Sequence, residues 1–249
     1  MKITEKEADL KLHISPMSCD EEFSPPAPPP LLNKPHIYLY VGSKGSGKTT
    51  LATSLIASNK PPYRAYYQTQ DNVYLNIPEN SLHSITNKTI KEHDESKVYN
   101  EFNLQFLEDV DEKTRASALE EEPEFSMVLI DDASSQLKQN KPVIDLFTKM
   151  VHRHRHSRTS YHILVQDLMS VPISIRRNVD GIFFFKPINA KSSTAFIEEF
   201  LGDFSKEQVQ ELFDYVFDKR RNFLFVKTGS PPEFFKNFNK LVINKNIDE

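Results

Sequence analysis

Lys48 and Thr49 close the run Gly42-Ser43-Lys44-Gly45-Ser46-Gly47-Lys48-Thr49, which has the residue types and spacing G-x-x-x-x-G-K-T. The chemistry this spacing serves is phosphate binding. Glycines let successive backbone N–H groups curl inward around the β- and γ-phosphates, and the N-terminus of a following helix adds partial positive charge. Lys48 would bridge β- and γ-phosphate oxygens, and the Thr49 hydroxyl would ligate Mg²⁺. The nucleotide-contacting stretch is read as Gly42, Ser43, Lys44, Gly45, Ser46, Gly47, Lys48, Thr49 and Thr50. Three of the chain's six glycines fall inside the run, which counts against a chance glycine turn.

A second constellation lies at Asp131-Asp132, directly after the apolar run Phe125 to Ile130. Such a run suits a central parallel strand covered on both faces, and ligands of open α/β sheets sit at the carboxyl ends of the strands. Asp131 would hold Mg²⁺ through water, and Asp132 would orient or deprotonate the attacking water. A pair of helix-capping aspartates is the plainer reading of the same two residues. Gln166 and Asp167 end another apolar run, Tyr161 to Val165, where a polar side chain can sense the γ-phosphate or position water. Arg176-Arg177 precede Gly181 to Phe185; they are placed either to reach a neighbouring subunit's nucleotide or as an ordinary surface pair.

The elements that must position these groups follow from pattern. His36 to Val41 reads as the strand entering the glycine run, and Thr50 to Ile56 as the helix leaving it. Tyr63 to Thr69 reads as a further strand, 71–94 carries no strong period, and 96–122 turns helical. Ala133 to Val151 predicts a helix broken at Pro142, and Ser192 to Phe204 and Ser205 to Lys219 two more. Ser205 and Gln208 have capping-box spacing, and Arg220-Arg221 lie where cations suit a helix C-terminus. Phe223 to Lys227 predicts a last strand, with 231–243 packing back on the sheet. The class is therefore α/β: a P-loop NTPase with a central, mainly parallel sheet flanked by helices.

Totals bound the rest. At 249 residues the chain makes one domain, 35–249, preceded by a flexible proline-rich tail, 1–34, which would serve as a spacer or a docking strip. A net charge of −4 gives no global nucleic-acid signature. The basic run Lys149 to Arg158 is the local exception, suited to DNA phosphates or a subunit interface; no cysteine or carboxylate lies among its histidines to complete a metal cage. The single cysteine, Cys19, excludes a disulfide framework. The charged start, Met1 to Glu7, lacks the apolar core of a signal peptide, and no apolar run reaches a membrane span, so an intracellular, non-secreted protein is expected.

Four segments in order carry a resemblance: GSKGSGKT (42–49), VLIDDASSQLKQN (128–140), RHSRTSYHILVQD (155–167) and VPISIRRN (171–178). Over about residues 35–243 the chain resembles the viral genome-packaging ATPases of the FtsK–HerA superfamily. This is the poxvirus-type group, found also in other large DNA viruses, virophages and polinton-like elements. The resemblance implies a RecA/FtsK–HerA-like P-loop ATPase that uses ATP and Mg²⁺ to move double-stranded DNA into capsids. It would act as a homo-oligomeric ring, a hexamer, with shared active sites. It further implies capsid or vertex partners and a location at the viral assembly site in the host cell or in the virion.

Carried over residue by residue, Lys48 and Thr49 are the Walker A pair and Asp131 the Walker B carboxylate. Asp132 stands where the wider superfamily often has Glu, Gln166 is the sensor, and Arg176, rather than Arg177, is the finger given to the adjacent subunit. Arg155 and His156 match the family's RH pair; His154 replaces the glycine often found before it.

Three other readings stay open. A monomeric P-loop small-molecule (nucleoside-type) kinase would need an arginine-bearing lid, and Arg115 is the only arginine in 96–122. A GTPase would need N-K-x-D, whereas Asn140-Lys141-Pro142 is followed by Val143. A nucleotide-dependent scaffold would dock partners through the proline tail.

Overall fold

The computed structural model describes residues 22–57, 72–187 and 190–243. Its frame is a nine-stranded sheet in the order β3-β2-β4-β5-β1-β6-β7-β8-β9. The strands are β1 (Ile37–Val41), β2 (Asn72–Asn76), β3 (Val98–Tyr99), β4 (Ser126–Ile130), β5 (Thr159–Val165), β6 (Gly181–Phe185), β7 (Phe223–Lys227), β8 (Glu233–Lys236) and β9 (Asn239–Lys240). Pairing is parallel from β3 through β6 and antiparallel from β6 to β9. β1, β4, β5 and β6 are buried along their whole length, as parallel strands covered on both faces must be.

Alternation along the strands divides the core in two. On one face, Leu39, Val128, Ile130, Ile163 and Phe184 pack under α4 (Leu104–Ser117), α6 (Lys141–His152), α8 (Ala190–Phe200) and α9 (Lys206–Val216). On the other, Tyr38, Tyr40, Leu129, Leu164 and Phe183 lie under α1 (Lys48–Ile56). There an aromatic row crosses three strands in register. Tyr40 stacks on Phe183 at 4.5 Å and Phe183 on Phe225 at 4.4 Å, the cross-strand pairing that fixes a sheet's register.

Several expectations meet their outcome here. The predicted strand at Tyr63 to Thr69 lies outside the described residues. A strand not expected from the sequence occurs at Asn72–Asn76, inside a stretch with no legible period, because asparagines at both ends leave only Val73, Tyr74 and Leu75 to signal it. The short helices α2 (Glu79–Ser84) and α3 (Lys88–Lys91) follow it. The helix expected over 96–122 is shorter, since Asn103 caps α4 by accepting from the Phe106 N–H, and Val98 belongs to β3. The predicted break at Pro142 falls at Asn140, which ends α5 (Ser134–Gln139) and caps α6, with proline in the first turn. Ser205 and Gln208 form the expected capping box.

Residues 22–34, placed in the tail by composition, lie against the sheet. Phe23, Ala27 and Leu31 are buried, and Phe23 meets Phe125 edge-on at 4.9 Å. The Leu32 N–H donates to the Tyr38 hydroxyl at 2.7 Å. The prolines prevent helix and sheet, but the apolar side chains between them still have an apolar face to cover. Beneath this strap Tyr40 Oη bonds His162 Nδ1 at 2.9 Å, and His162 Nε2 faces His36 Nε2 at 3.4 Å.

Candidate active site

The glycine run leaves β1 at its C-terminal end and feeds α1. Gly42 sits so close to Phe185 that a Cβ would come within 2.8 Å of the phenylalanine's own Cβ, so no side chain fits. Gly47, the N-cap of α1, has φ 110°, a left-handed conformation that glycine adopts freely, and it offers no side-chain cap. The first N–H groups of α1 therefore face outward without a side-chain cap, and an anion can take them. Ser46 Oγ is buried with no hydrogen-bond partner among the described residues. These features fit a phosphate.

Lys48 is only 8% exposed and folds back along the loop, its ammonium donating to the Gly42 carbonyl at 2.6 Å and the Ser43 carbonyl at 3.1 Å. Burial pushes its pKa down, while the carboxylates of Asp131 and Asp132 oppose that shift. Asp131 continues the α1-facing side of β4 and accepts a hydrogen bond from Thr49 Oγ1 at 3.0 Å. Burial raises its carboxyl pKa, and the Thr49 hydroxyl and the Lys48 charge pull it back. One hydroxyl and one carboxylate are hard oxygen donors suited to Mg²⁺, which keeps most of its shell for water and phosphate. Among the described residues no group of three or more His, Cys, Asp or Glu side chains is arranged around a metal position.

Asp132 departs from the strand with φ 60°, a left-handed conformation that aspartate tolerates better than most residues. Its exposed carboxylate accepts from Gln166 Nε2 at 3.2 Å, and the Gln166 N–H donates to Ser134 Oγ at 3.2 Å. Since β4 and β5 are adjacent and parallel, both side chains emerge at the edge that carries the glycine loop. Lys48, Thr49, Asp131, Asp132 and Gln166, far apart in sequence, thus share one edge. Ser134, which orients the Gln166 backbone, was not legible: one serine after a carboxylate pair reads as a helix start.

The arginines behave differently from expectation. Arg176, on α7 (Ile173–Arg176), is held within its own chain. Its Nε pairs with Glu199 Oε2 at 3.0 Å, and its Nη1 donates to the carbonyls of Val171 at 3.0 Å and Leu168 at 3.4 Å. With its side chain 10% exposed, it braces the β5–β6 connection. Arg177 is exposed and makes no side-chain hydrogen bond or ion pair with the described residues. Three residues on, the Asp180 carboxylate accepts from the Ile37 N–H at 2.9 Å. The connection therefore ends beside the start of β1, opposite the phosphate loop. Arg176, expected to be the cation offered to another subunit, thus has its partners within its own chain, whereas the neighbouring Arg177 has none among the described residues.

The basic run 149–158 is also mostly committed inside the chain. Arg153 pairs with Asp111; Arg155 and the buried His154 each lie 3.9 Å from Asp180; Arg158 donates to the Pro123 carbonyl at 2.9 Å. Lys149, His152 and His156 are the members that remain exposed. Among the described residues no helix is long and apolar enough to cross a membrane.

Comparison with known proteins adds family and fold. The family described as Poxvirus A32 protein matches residues 28–202, more than half of the chain. No curated protein sequence matches. Among solved structures, B204, the DNA-packaging ATPase from Sulfolobus Turreted Icosahedral Virus, superposes with a TM-score of 0.59 at 19% identity, over 82% of this chain and 98% of that one. The genome packaging NTPase B204 from Sulfolobus turreted icosahedral virus 2, in complex with AMPPCP, gives 0.60 at 17% identity, over 84% and 99%. ATPases 2 and 3 of EssC from Geobacillus thermodenitrificans give 0.53 at 13% identity, over 85% of this chain and 40% of that one. At these identities the likeness is one of fold: a P-loop ATPase sheet with its helices.

Proposed function

This chain belongs to the Poxvirus A32 protein family, and on that premise we propose that it is an ATP-hydrolysing motor that packages viral double-stranded DNA into capsids. The observation that carries the reading is the shared edge, where the Thr49–Asp131 and Asp132–Gln166 pairs flank the loop of Lys48. The similarity in fold to packaging ATPases supports the choice of reaction. The comparisons give no support to the small-molecule kinase.

In this reading the loop N–H groups and Lys48 hold the β- and γ-phosphates of ATP. Thr49 and Asp131 would hold Mg²⁺, which supplies charge neutralisation between the phosphate oxygens. Asp132, oriented by Gln166, aligns the attacking water and takes up its proton. Arg177 of an adjacent copy supplies the last positive charge, so the working unit is a ring, taken as a hexamer, at the site of virus assembly. Capsid or vertex proteins would receive the ring. Arg153, Arg155 and Arg158 meet Asp111, Asp180 and the Pro123 carbonyl within the chain, which leaves Lys149, His152 and His156 as the more exposed cations of that run.

Displacement of a third strand from triplex-bearing duplex DNA tests translocation. The full chain should strip it only with ATP and Mg²⁺, and Lys48→Ala should not. Displacement by Lys48→Ala, or none by a chain that hydrolyses ATP, would overturn the motor reading.

A further inference from the structure

Asp180 is the last residue before β6 and lies three places after Arg177, so whatever fixes it also fixes the turn that carries that arginine. It is tied twice to the start of β1. Its carboxylate accepts from the Ile37 N–H at 2.9 Å, and its own N–H donates to the Ile37 carbonyl at 2.9 Å. Its carbonyl accepts from the Thr228 N–H at 3.0 Å, and the Thr228 hydroxyl donates to the Val179 carbonyl at 2.6 Å. The turn is therefore held between β1 and the end of β7, while the Arg177 side chain stays exposed.

The same carboxylate has a neighbour with an unused nitrogen. His154, 6% exposed, sits in the turn between α6 and β5. Its Nδ1 lies 2.8 Å from the Val151 carbonyl, which can only accept, so Nδ1 carries the ring proton. In the neutral imidazole Nε2 is then a bare acceptor. It lies 3.9 Å from Asp180 Oδ2 and has no hydrogen-bond partner among the described residues. Two acceptors thus face each other, and one added proton converts the contact into a charge-assisted hydrogen bond. Burial lowers the imidazole pKa and raises that of the carboxyl, which keeps this proton off the imidazole at neutral pH. Lys34, ahead of β1, and Arg155 oppose a charge on His154, while the nearby His36 and Tyr38 of the β1 segment stay neutral.

We propose that Asp180 is the positioning residue for the Arg177 turn and that His154 is its proton-sensitive partner, tightening that hold when the pair takes up a proton. The inference rests on the reading of Arg177 as a cation given to an adjacent copy. His154 stands where the ATPases that the chain resembles often have glycine, which has no titrating group, so the device belongs to this chain.

Mixtures of full-length variants test it. Lys48→Ala chains cannot use ATP and Arg177→Ala chains cannot lend the arginine, so a mixture regains hydrolysis where the first lends Arg177 to a site of the second. Adding Asp180→Ala to the Lys48→Ala lender should cut the recovered rate about tenfold or more, with the KM for ATP within about twofold, since the hydrolysing site is unaltered. Asp180→Asn in the lender keeps the acceptor for Ile37 and should restore most of the rate at pH 7.5. From pH 7.5 to 6.0 the recovered rate should rise about threefold relative to a lender carrying His154→Gln, whose amide donates at every pH, and Asp180→Asn should abolish that rise. Equal recovery with and without Asp180→Ala overturns the positioning role. If Asp180→Ala does not fold, a pH rise that survives in Asp180→Asn overturns it instead. The same pH course in the His154→Gln lender overturns the proton coupling. No recovery from the simple Lys48→Ala and Arg177→Ala mixture, or hydrolysis by Arg177→Ala alone, overturns the Arg177 reading and the proposal with it.

Discussion

Gln166 Nε2 donates a 3.2 Å hydrogen bond to Asp132 Oδ1, joining the ends of two adjacent parallel strands at the edge that carries the phosphate loop. The pair turns the exposed carboxylate of Asp132 into an oriented one. Replacing Asp132 with Asn should lower kcat for ATP by ~10²–10⁴-fold, the usual contribution of a positioned base, with KM little changed. Gln166→Ala should lower kcat by less, since the carboxylate survives and only its aim is lost. Steady-state ATPase kinetics check both.

Thr49 and Asp131 should set the metal requirement. Thr49→Ala removes one oxygen donor and the hydrogen bond that steadies the other. The Mg²⁺ concentration for half-maximal hydrolysis should rise by at least about tenfold, in line with losses seen when a metal site's supports are removed. Titrating Mg²⁺ at saturating ATP measures it.

The two neighbouring arginines should separate cleanly. Arg177→Ala should leave ATP binding nearly intact and cut hydrolysis by ~10³–10⁵-fold, as loss of a trans-acting arginine does. Arg176→Ala strands Glu199 and two backbone carbonyls, and should cost about 1–3 kcal/mol of stability. Binding assays and denaturant melts on both variants distinguish the roles; hydrolysis at wild-type rates in Arg177→Ala would reject its assignment.

This contrast shows what was legible in the sequence and what was not. The phosphate loop was, because its chemistry is written in eight consecutive residues, and so were the cap of Ser205 on Gln208 and the buried strand before Asp131. The Arg176–Glu199 pair joins residues with no local pattern between them. The basic run looked available for DNA because its partners, Asp111, Pro123 and Asp180, come from other elements. Composition marked residues 22–34 as a tail, yet Phe23 and Leu31 are core residues by burial.

That strap gives a stability prediction. Phe23→Ala removes a ring packed edge-on against Phe125 and should cost about 3–5 kcal/mol. Urea denaturation of the full chain measures the loss; a midpoint equal to wild type would mean that the segment contributes nothing to the fold.

Acid should weaken the same region. Burial holds the imidazole of His36 down to about 3 and that of His162 well below its ordinary range, so both are neutral in the folded chain. The unfolded chain takes up their protons below about 6.5 while the folded chain does not. Stability should therefore fall as pH drops from 6.5 toward 5, approaching about 1.4 kcal/mol per pH unit for each such group. Urea midpoints at pH 7, 6 and 5 test the slope, and His162→Gln should flatten it.

The most direct test of a shared-site motor is the ATPase rate per chain, measured against protein concentration with and without double-stranded DNA. A rate per chain that climbs steeply with concentration, and climbs further with DNA, is the result predicted for sites completed by a neighbour's Arg177. A rate per chain that is flat in concentration and indifferent to DNA would contradict it.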